Sequence, residues 1–149
     1  MMNEVKLIPA QATYSLRLRV LWPHLSKLEE CALEVDDKKD TFHIGAYKND
    51  AIVAIATFLV EKNEKLNKKK QYRLRAMATD PDVRGENFGK QVIDFAIEKL
   101  KKEGVDLLWC DARKVALGFY EKMNFKITGD FYEVRNIGPH KLMYYNLKE

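Results

Sequence analysis

Cysteine is scarce in this chain of 149 residues, which contains only Cys31 and Cys110. Neither has another cysteine or a histidine at the spacing of a zinc site, and two cysteines cannot form a disulfide framework. The sequence therefore predicts no metal site and no disulfide-rich secreted fold. We expect a cytoplasmic location, because free cysteines are usual in that reducing compartment.

Long hydrophobic runs are also absent. The longest, residues 51–60, contains a threonine and is too short to span a bilayer. The N-terminus lacks a basic stretch followed by a long apolar run, so we expect no signal peptide and no membrane partner. With 46% hydrophobic and 32% charged residues, the composition is typical of a globular protein. The length favours a single domain over residues 1–149.

The excess of positive charge is small, with a formal net charge of +4. One segment supplies much of it, through Lys65, Lys68, Lys69 and Lys70. A basic cluster can mark nucleic-acid binding, but this one has no aromatic residues among its lysines. We interpret it as a solvated hairpin tip and expect no nucleic-acid partner, which leaves a nucleic-acid-binding protein as the most distant alternative.

Hydrophobic periodicity predicts the order of strands and helices. Strands are expected at residues 4–8, 42–47, 51–60, 72–79, 105–110, 125–127, 131–134 and 141–147. Helices are expected at residues 12–22, 25–33, 88–102 and 115–123. The central strand–helix–strand unit implies one parallel pair, whereas the hairpin before it is antiparallel. The fold class is therefore α/β (α+β), with a mixed central sheet and helices on both faces.

The turn before the third predicted helix carries the strongest functional signal. It contains Gly85, Asn87 and Gly89, and an amphipathic helix begins at once. This order directs several backbone N–H groups and a helix N-terminus to one place, which favours anion binding. Arg84 and Lys90 add positive charge on either side.

Three interpretations of this turn compete. One is an ordinary strand–turn–helix connection, because a short glycine motif is weak evidence by itself. A nucleotide-binding P-loop is excluded, since only three residues separate Gly85 from Gly89 and Gln91 replaces the Ser or Thr that holds magnesium. The third interpretation is that the turn binds the pyrophosphate of coenzyme A.

The third interpretation rests on a resemblance. Arg84-Gly85-Glu86-Asn87-Phe88-Gly89 resembles the Arg-x-x-Gly-x-Gly/Ala acetyl-CoA signature of the GNAT superfamily of N-acetyltransferases. Residues 118–125 resemble the Phe-Tyr-Glu-Lys-x-Gly-Phe helix end of that family, with Asn124 in place of Gly. Two motifs at the right separation are much more specific than either alone. Asn87 also replaces a usual Gly, and Asn is among the residues that best tolerate a positive φ.

The resemblance implies the fold of that family, in which the fourth and fifth strands splay apart at the acetyl-CoA site. It also implies transfer of an acetyl group from acetyl-CoA to a primary amine, by direct attack on the thioester and without a metal. The residues it assigns to acetyl-CoA are Met77, Ala78, Thr79, Arg84, Gly85, Glu86, Asn87, Phe88, Gly89, Lys90 and Arg113. Arg113 stands where many members have an asparagine.

Three residues are candidates for proton transfer. The resemblance makes Tyr120 the general acid beside the thioester sulfur, although periodicity alone would make it a core aromatic residue. Asp111 lies near the place of an acidic base in some members, and a cap or turn residue explains it about equally well. His140, before the last strand, is the other candidate base, with a surface turn histidine as the alternative. Gln71 stands where other members carry a base, and an amide cannot serve.

The first two helices and the late strands usually form the acceptor pocket in this superfamily. The resemblance thus implies that Arg17, Arg19, Trp22 and Tyr132 lie near it. The arginines are candidates to recognise a substrate carboxylate, but we favour a solvent-facing position for both. The acceptor is a small-molecule amine or a peptide or protein amine, and a homodimer is compatible with the resemblance. A non-catalytic acyl-CoA sensor of the same fold is the alternative, because no base is evident.

Overall fold

The computed structural model describes residues 3–148, so Met1, Met2 and Glu149 of the expected domain lie outside the described residues. Within them, seven strands form one sheet in the order β1-β2-β3-β4-β5-β7-β6. The strands are β1 (Glu4–Ile8), β2 (Phe42–Lys48), β3 (Ala51–Val60), β4 (Gln71–Thr79), β5 (Leu107–Arg113), β6 (Lys126–Val134) and β7 (Gly138–Asn146). Only β4 and β5 pair in parallel. The expected mixed, mostly antiparallel sheet is confirmed.

Helices lie on both faces of this sheet, as expected. The first helical segment, residues 10–21, joins a 3-10 turn (Ala10–Thr13), an α-helical turn α1 (Tyr14–Leu16) and a π-helical turn (Arg17–Leu21). It covers one face, where Leu16 packs with Ile55 and Ala78. The helices α2 (Phe88–Lys102) and α3 (Leu117–Lys122) cover the other. The apolar stripe of α2 is buried there because its members recur every three or four residues.

The helix expected at residues 25–33 is wrong. Two short 3-10 turns, Leu28–Cys31 and Glu34–Asp37, are found there instead, with extended backbone between them. The Glu30 carboxylate accepts hydrogen bonds from the backbone N–H groups of Ser26, at 3.0 Å, and Lys27, at 2.8 Å, which closes a local turn. The apolar residues share no buried face either, since Leu28 is 49% exposed.

The last hairpin also differs from its sequence pattern. The strands expected at residues 125–127 and 131–134 form one strand, β6, whose register against β7 shifts between Thr128 and Tyr132. Gly129, with φ 79°, supplies the irregular backbone at this shift. β7 begins at Gly138, so His140 lies inside a strand and is buried. Its alternative interpretation as a surface turn histidine is wrong.

The sheet opens between β4 and β5. The two strands pair only where Gln71–Arg73 lie beside Leu107–Trp109. Beyond Arg73 they separate, while β5 continues to pair with β7 as far as Arg113. A bulge at Ala76, with φ 53°, shifts the register between β3 and β4 at the same level. The expected splayed parallel pair is therefore confirmed.

Candidate functional site

The turn between β4 and α2 presents a row of backbone donors. Asn87 adopts the left-handed conformation, with φ 67° and ψ 18°, and immediately precedes α2. The first helical hydrogen bond runs from the Gln91 N–H group to the Asn87 carbonyl, at 3.0 Å. The N–H groups of Phe88, Gly89 and Lys90 therefore have no partner within the helix. Together with the helix dipole, these free donors suit an anion.

The charged side chains of the turn are engaged to different degrees. Lys90 Nζ donates to Asp94 one helical turn further along, at 2.7 Å. Glu86 accepts from Lys48 Nζ, also at 2.7 Å. Arg84 is exposed and has no ion pair among residues 3–148. Of these side chains, Arg84 is the one whose charge remains for a ligand.

Gly89 allows the turn to lie close against β4. A Cβ atom at Gly89 would lie 3.1 Å from both Met77 Cε and Thr79 Oγ1, and 3.3 Å from Phe119 Cε1. Met77 and Thr79 therefore face α2, whereas Ala78 packs on the first helical segment across the sheet. The structure thus brings the turn, two residues at the end of β4 and the start of α3 together.

Tyr120 lies on the same face, beneath the opening of the sheet. Its ring centroid is 5.1 Å from that of Phe119 and 5.3 Å from that of Phe125. Burial, with a smaller contribution from Cys110, raises the pKa of the Tyr120 hydroxyl well above its ordinary value. No hydrogen-bond partner for this hydroxyl is found within residues 3–148. The group is therefore protonated at neutral pH and can donate a proton.

Asp111 lies on the opposite face of β5. Its carboxylate accepts a hydrogen bond from Arg73 Nη2, at 2.8 Å, and another from the Tyr132 hydroxyl. The Arg73 guanidinium also donates to Glu61, at 3.1 Å, and lies 4.9 Å from the ring centroid of Trp109. Asp111 is thus a strand residue held by two donors, and its interpretation as a cap or turn residue is wrong.

The Tyr132 side chain connects Asp111 with His140. His140 lies opposite Tyr132 in the β6–β7 register, and the two ring centroids are 6.2 Å apart. His140 Nδ1 lies 2.9 Å from the Gly138 carbonyl oxygen, so Nδ1 carries the proton and Nε2 is the basic nitrogen. Burial and the hydrogen bond to Asp111 raise the pKa of Tyr132, which keeps it a donor.

Arg113 lies opposite His140 in the β5–β7 register, and so on the same face as Asp111. The turn before α2 packs on the other face. The structure therefore does not bring Arg113 together with that turn, and its contact with coenzyme A stays a prediction.

Arg17 is fully buried, so its expected solvent-facing position is wrong. Its guanidinium makes two hydrogen bonds to the Asp36 carboxylate, at 2.7 and 2.8 Å, and also donates to Thr57 Oγ1 and to the Cys31 carbonyl. These contacts leave it no role in binding a substrate carboxylate. Arg19 is exposed as expected, and pairs with Asp80 at 3.0 Å.

Gln71 organises the connection that contains the four lysines. Its buried amide accepts from the Asn63 N–H group and donates to the carbonyls of Leu66 and Lys68. Leu66 is buried against a cluster that includes Trp109. The lysines are exposed, but the connection is packed on the same face as Asp111 rather than fully solvated.

Two residues of this face were missed by the sequence patterns. Arg73 and Arg75 alternate with Tyr72 and Leu74 along β4, so both point away from α2. Two arginines at alternate positions of one strand were a signal that one face of that strand is polar and does not belong to the apolar core.

Neither a membrane-spanning helix nor a metal-ligand cluster is found in the part of the chain that the structure describes. No helix there is long and apolar enough to cross a bilayer. No group of three or more His, Cys, Asp or Glu side chains there could hold a metal ion.

Comparisons with known proteins agree with this geometry. Residues 9–125 match the family model described as the Acetyltransferase (GNAT) family. Over 147 residues, the chain is 36% identical to the uncharacterized N-acetyltransferase YitI of Bacillus subtilis (strain 168). The aligned stretch covers 99% of this chain and 98% of YitI. A stretch of 69 residues, 46% of each chain, is 38% identical to the peptidyl-lysine N-acetyltransferase YjaB of Salmonella typhimurium (strain LT2).

A similar solved structure is that of an aminoglycoside 6'-N-acetyltransferase complexed with coenzyme A. The TM-score is 0.76 at 14% identity, with 98% of both chains covered. At that identity the likeness shows the fold alone.

Proposed function

Because the chain belongs to the GNAT acetyltransferase family and is an N-acetyltransferase, we propose that it transfers the acetyl group of acetyl-CoA to a primary amine by direct attack on the thioester. The observation that carries this proposal is the opening between β4 and β5, with Tyr120 on one face and Asp111 on the other. A donor entering from the α2 face and an acceptor entering from the other would meet there.

Residues 84–90 would bind the pyrophosphate through the free N–H groups at the start of α2, with Arg84 adding its charge. The unpaired edge of β4, from Met77 to Thr79, would pair with the pantetheine arm. Gly89 supports this fit, because a side chain there would contact Met77 and Thr79 in the space the arm needs. Acetyl-CoA supplies the acetyl thioester that the amine attacks.

Proton removal from the acceptor ammonium would take place on the opposite face. Asp111 is our first candidate for the base, acting directly or through a water molecule, because Arg73 and Tyr132 orient its carboxylate. His140 is the alternative, through Nε2. Ala76 and Met77 have no partner in the β3–β4 register, and their N–H groups would stabilise the developing oxyanion.

Tyr120 would deliver a proton to the departing thiolate of coenzyme A. Its raised pKa keeps the hydroxyl protonated in the resting enzyme, so its proton is available to the sulfur as the C–S bond breaks. The aromatic rings of Phe119 and Phe125 fix the orientation of its ring.

The acceptor class that we propose is broader than the one that the name of YjaB gives. YjaB is named for peptidyl-lysine, but it matches less than half of this chain. We therefore propose a primary amine, carried by a small molecule or a peptide. We also propose a cytoplasmic location, which two free, buried cysteines support.

The proposal is tested by calorimetry with acetyl-CoA, followed by thiol release on a panel of amines. We expect saturable binding and amine-dependent release of coenzyme A. Absence of binding at millimolar acetyl-CoA would contradict the proposal at its first step. Binding without release on any amine would favour the acyl-CoA sensor instead.

A further inference from the structure

Arg75 lies at the level where the sheet opens. It is two residues beyond Arg73, the last residue of β4 that pairs with β5, and it pairs with Thr57 on the β3 side. Had the parallel register continued, Arg75 would lie beside Asp111. The two residues therefore face the opening from its two sides, on the face away from α2.

The guanidinium of Arg75 has no ion pair and no hydrogen bond within residues 3–148. The carboxylates around it are taken by other arginines. Glu61 and Asp111 pair with Arg73, and Asp36 pairs with Arg17. Burial and the charge of Arg73 lower the pKa of Arg75, but a guanidinium stays charged in a protein. Arg75 is thus a half-buried cation without a counter-ion.

An unpaired, partly buried charge weakens a fold unless a ligand pairs with it. The anion that suits a guanidinium fork best is a carboxylate or a phosphate. Across the opening, the Asp111 carboxylate accepts from Arg73 and Tyr132, and its remaining lone pairs can accept a hydrogen bond from an approaching ammonium. The pair is complementary to a molecule that carries an ammonium and a carboxylate a few bonds apart. A polyamine, which has only positive charges, would be repelled by Arg75.

We propose that the acceptor is a free amino acid or a similar small amine with a carboxylate, and that Arg75 binds this carboxylate while the amine lies at Asp111. The proposal rests on the proposed N-acetyltransferase function and narrows its substrate class. Arg75 is then a residue that determines acceptor specificity and takes no part in binding acetyl-CoA.

The test compares free amino acids with their amides as acceptors, in wild type and Arg75→Gln. The kcat/KM ratio of each acid to its amide is measured in both proteins. An amino acid and its amide differ in the basicity of the amine. Dividing the acid-to-amide ratio of Arg75→Gln by that of wild type cancels this difference. We expect the acid-to-amide ratio to fall about 10- to 100-fold in Arg75→Gln, the range for losing a charge-assisted hydrogen bond. Arg75→Lys should lie between the two, because it keeps the charge but loses the planar fork.

Arg135→Gln, on the exposed β6–β7 turn, is the matched control and should keep the wild-type ratio. Thermal melting of Arg75→Gln should show a Tm close to that of wild type, since no hydrogen bond or ion pair within residues 3–148 is lost.

An unchanged ratio in Arg75→Gln would overturn the carboxylate assignment while leaving the proposed function intact. So would acetylation of peptide lysines or polyamines with no turnover of any amino acid. Failure of acetyl-CoA to bind, or of every amine to release coenzyme A, would remove the proposed function as well.

Discussion

The Asp111 carboxylate on β5 accepts a hydrogen bond from Arg73 on β4 at 2.8 Å, across the point where the two strands cease to pair. Tyr132 donates to the same carboxylate from β6. Three strands therefore orient one acidic group at the edge of the opening. A group held in this way is ready to receive a proton without first reorganising.

Asp111→Asn should remove the proposed base and keep its shape. We expect kcat to fall by about 100-fold or more, the usual effect of losing a general base. The Kd for acetyl-CoA should stay unchanged, because Asp111 lies on the opposite face from Gly89. Steady-state kinetics and calorimetry measure the two quantities. Asp130→Asn, on the exposed surface of β6, is the matched control.

His140→Gln distinguishes the two candidate bases. If Asp111 is the base, His140→Gln should keep near-normal kcat in steady-state kinetics. Near-normal turnover in Asp111→Asn, with large loss in His140→Gln, would assign the proton transfer to His140 Nε2.

Tyr120→Phe should lower kcat by about 10- to 1000-fold, because the departing thiolate would lose its proton donor. The ring contacts with Phe119 and Phe125 remain, so neither the Tm nor the affinity for acetyl-CoA should fall. Tyr47→Phe, on β2 and away from the opening, controls for loss of a tyrosine hydroxyl. Unchanged turnover in Tyr120→Phe would show that another group protonates the thiolate.

Gly89→Ala should weaken acetyl-CoA binding. Its new methyl group would lie 3.1 Å from Met77 Cε and Thr79 Oγ1, so these side chains must shift by a few tenths of an ångström towards the space proposed for the pantetheine arm. We expect a raised KM for acetyl-CoA. Gly118→Ala is the matched control, since a Cβ there meets nothing within 4 Å and should stabilise α3 by about 0.5–1 kcal/mol. Equal KM values for the two variants would argue against close contact at Gly89.

Asp36→Asn should destabilise the whole fold, because it leaves the fully buried Arg17 without its carboxylate. We expect a loss of about 3–5 kcal/mol in the free energy of unfolding, measured with urea. Asp37→Asn changes the exposed neighbour and should have little effect. A small effect at Asp36 would mean that the remaining partners of Arg17, the Cys31 carbonyl and Thr57 Oγ1, are sufficient for its buried charge.

Arg17, Asp36, Thr57 and His43 form one buried network of hydrogen bonds. This network should make the protein sensitive to acid. Burial lowers the pKa of His43 from its ordinary value of 6.5, so only the unfolded state takes up a proton just below that pH. Burial would raise the pKa of Asp36, but hydrogen bonds from Arg17 and from the Leu33 N–H group bring it below 3.8. Stability should therefore fall as pH drops below about 6.5, and again below 3.8. His43→Gln should remove the first of these losses in urea titrations at pH 8 and 5.

Local patterns predicted the strands well, because each buried strand carries its apolar residues in its own sequence. The bounds of β1 and β3 agree with the expected ones. The opening between β4 and β5 followed from the family resemblance rather than from periodicity. Two motifs on neighbouring elements were sufficient to indicate it.

Long-range contacts account for what could not be predicted. Arg17 is buried because it pairs with Asp36. The two residues are 19 positions apart in the chain, and no spacing rule connects them. The same carboxylate accepts from the Leu33 N–H group and helps to hold residues 28–37 in turns instead of a helix. His140 lies in a strand because pairing with Tyr132 and Arg113 extends β7 through a proline. Each of these outcomes depends on a partner that only the folded chain brings near.

The divergence of β4 and β5 leaves two strand edges facing each other in the interior of the sheet. Free edges usually invite pairing with another chain, and proteins protect them with charges, bulges or covering segments. Here the strands stay joined at Arg73 and Trp109, so the gap is a wedge too narrow at its base for a foreign strand. A slender extended molecule can still enter and satisfy the free N–H and carbonyl groups. Such a molecule would act as a temporary eighth strand, so that the resting enzyme is a sheet with one strand missing.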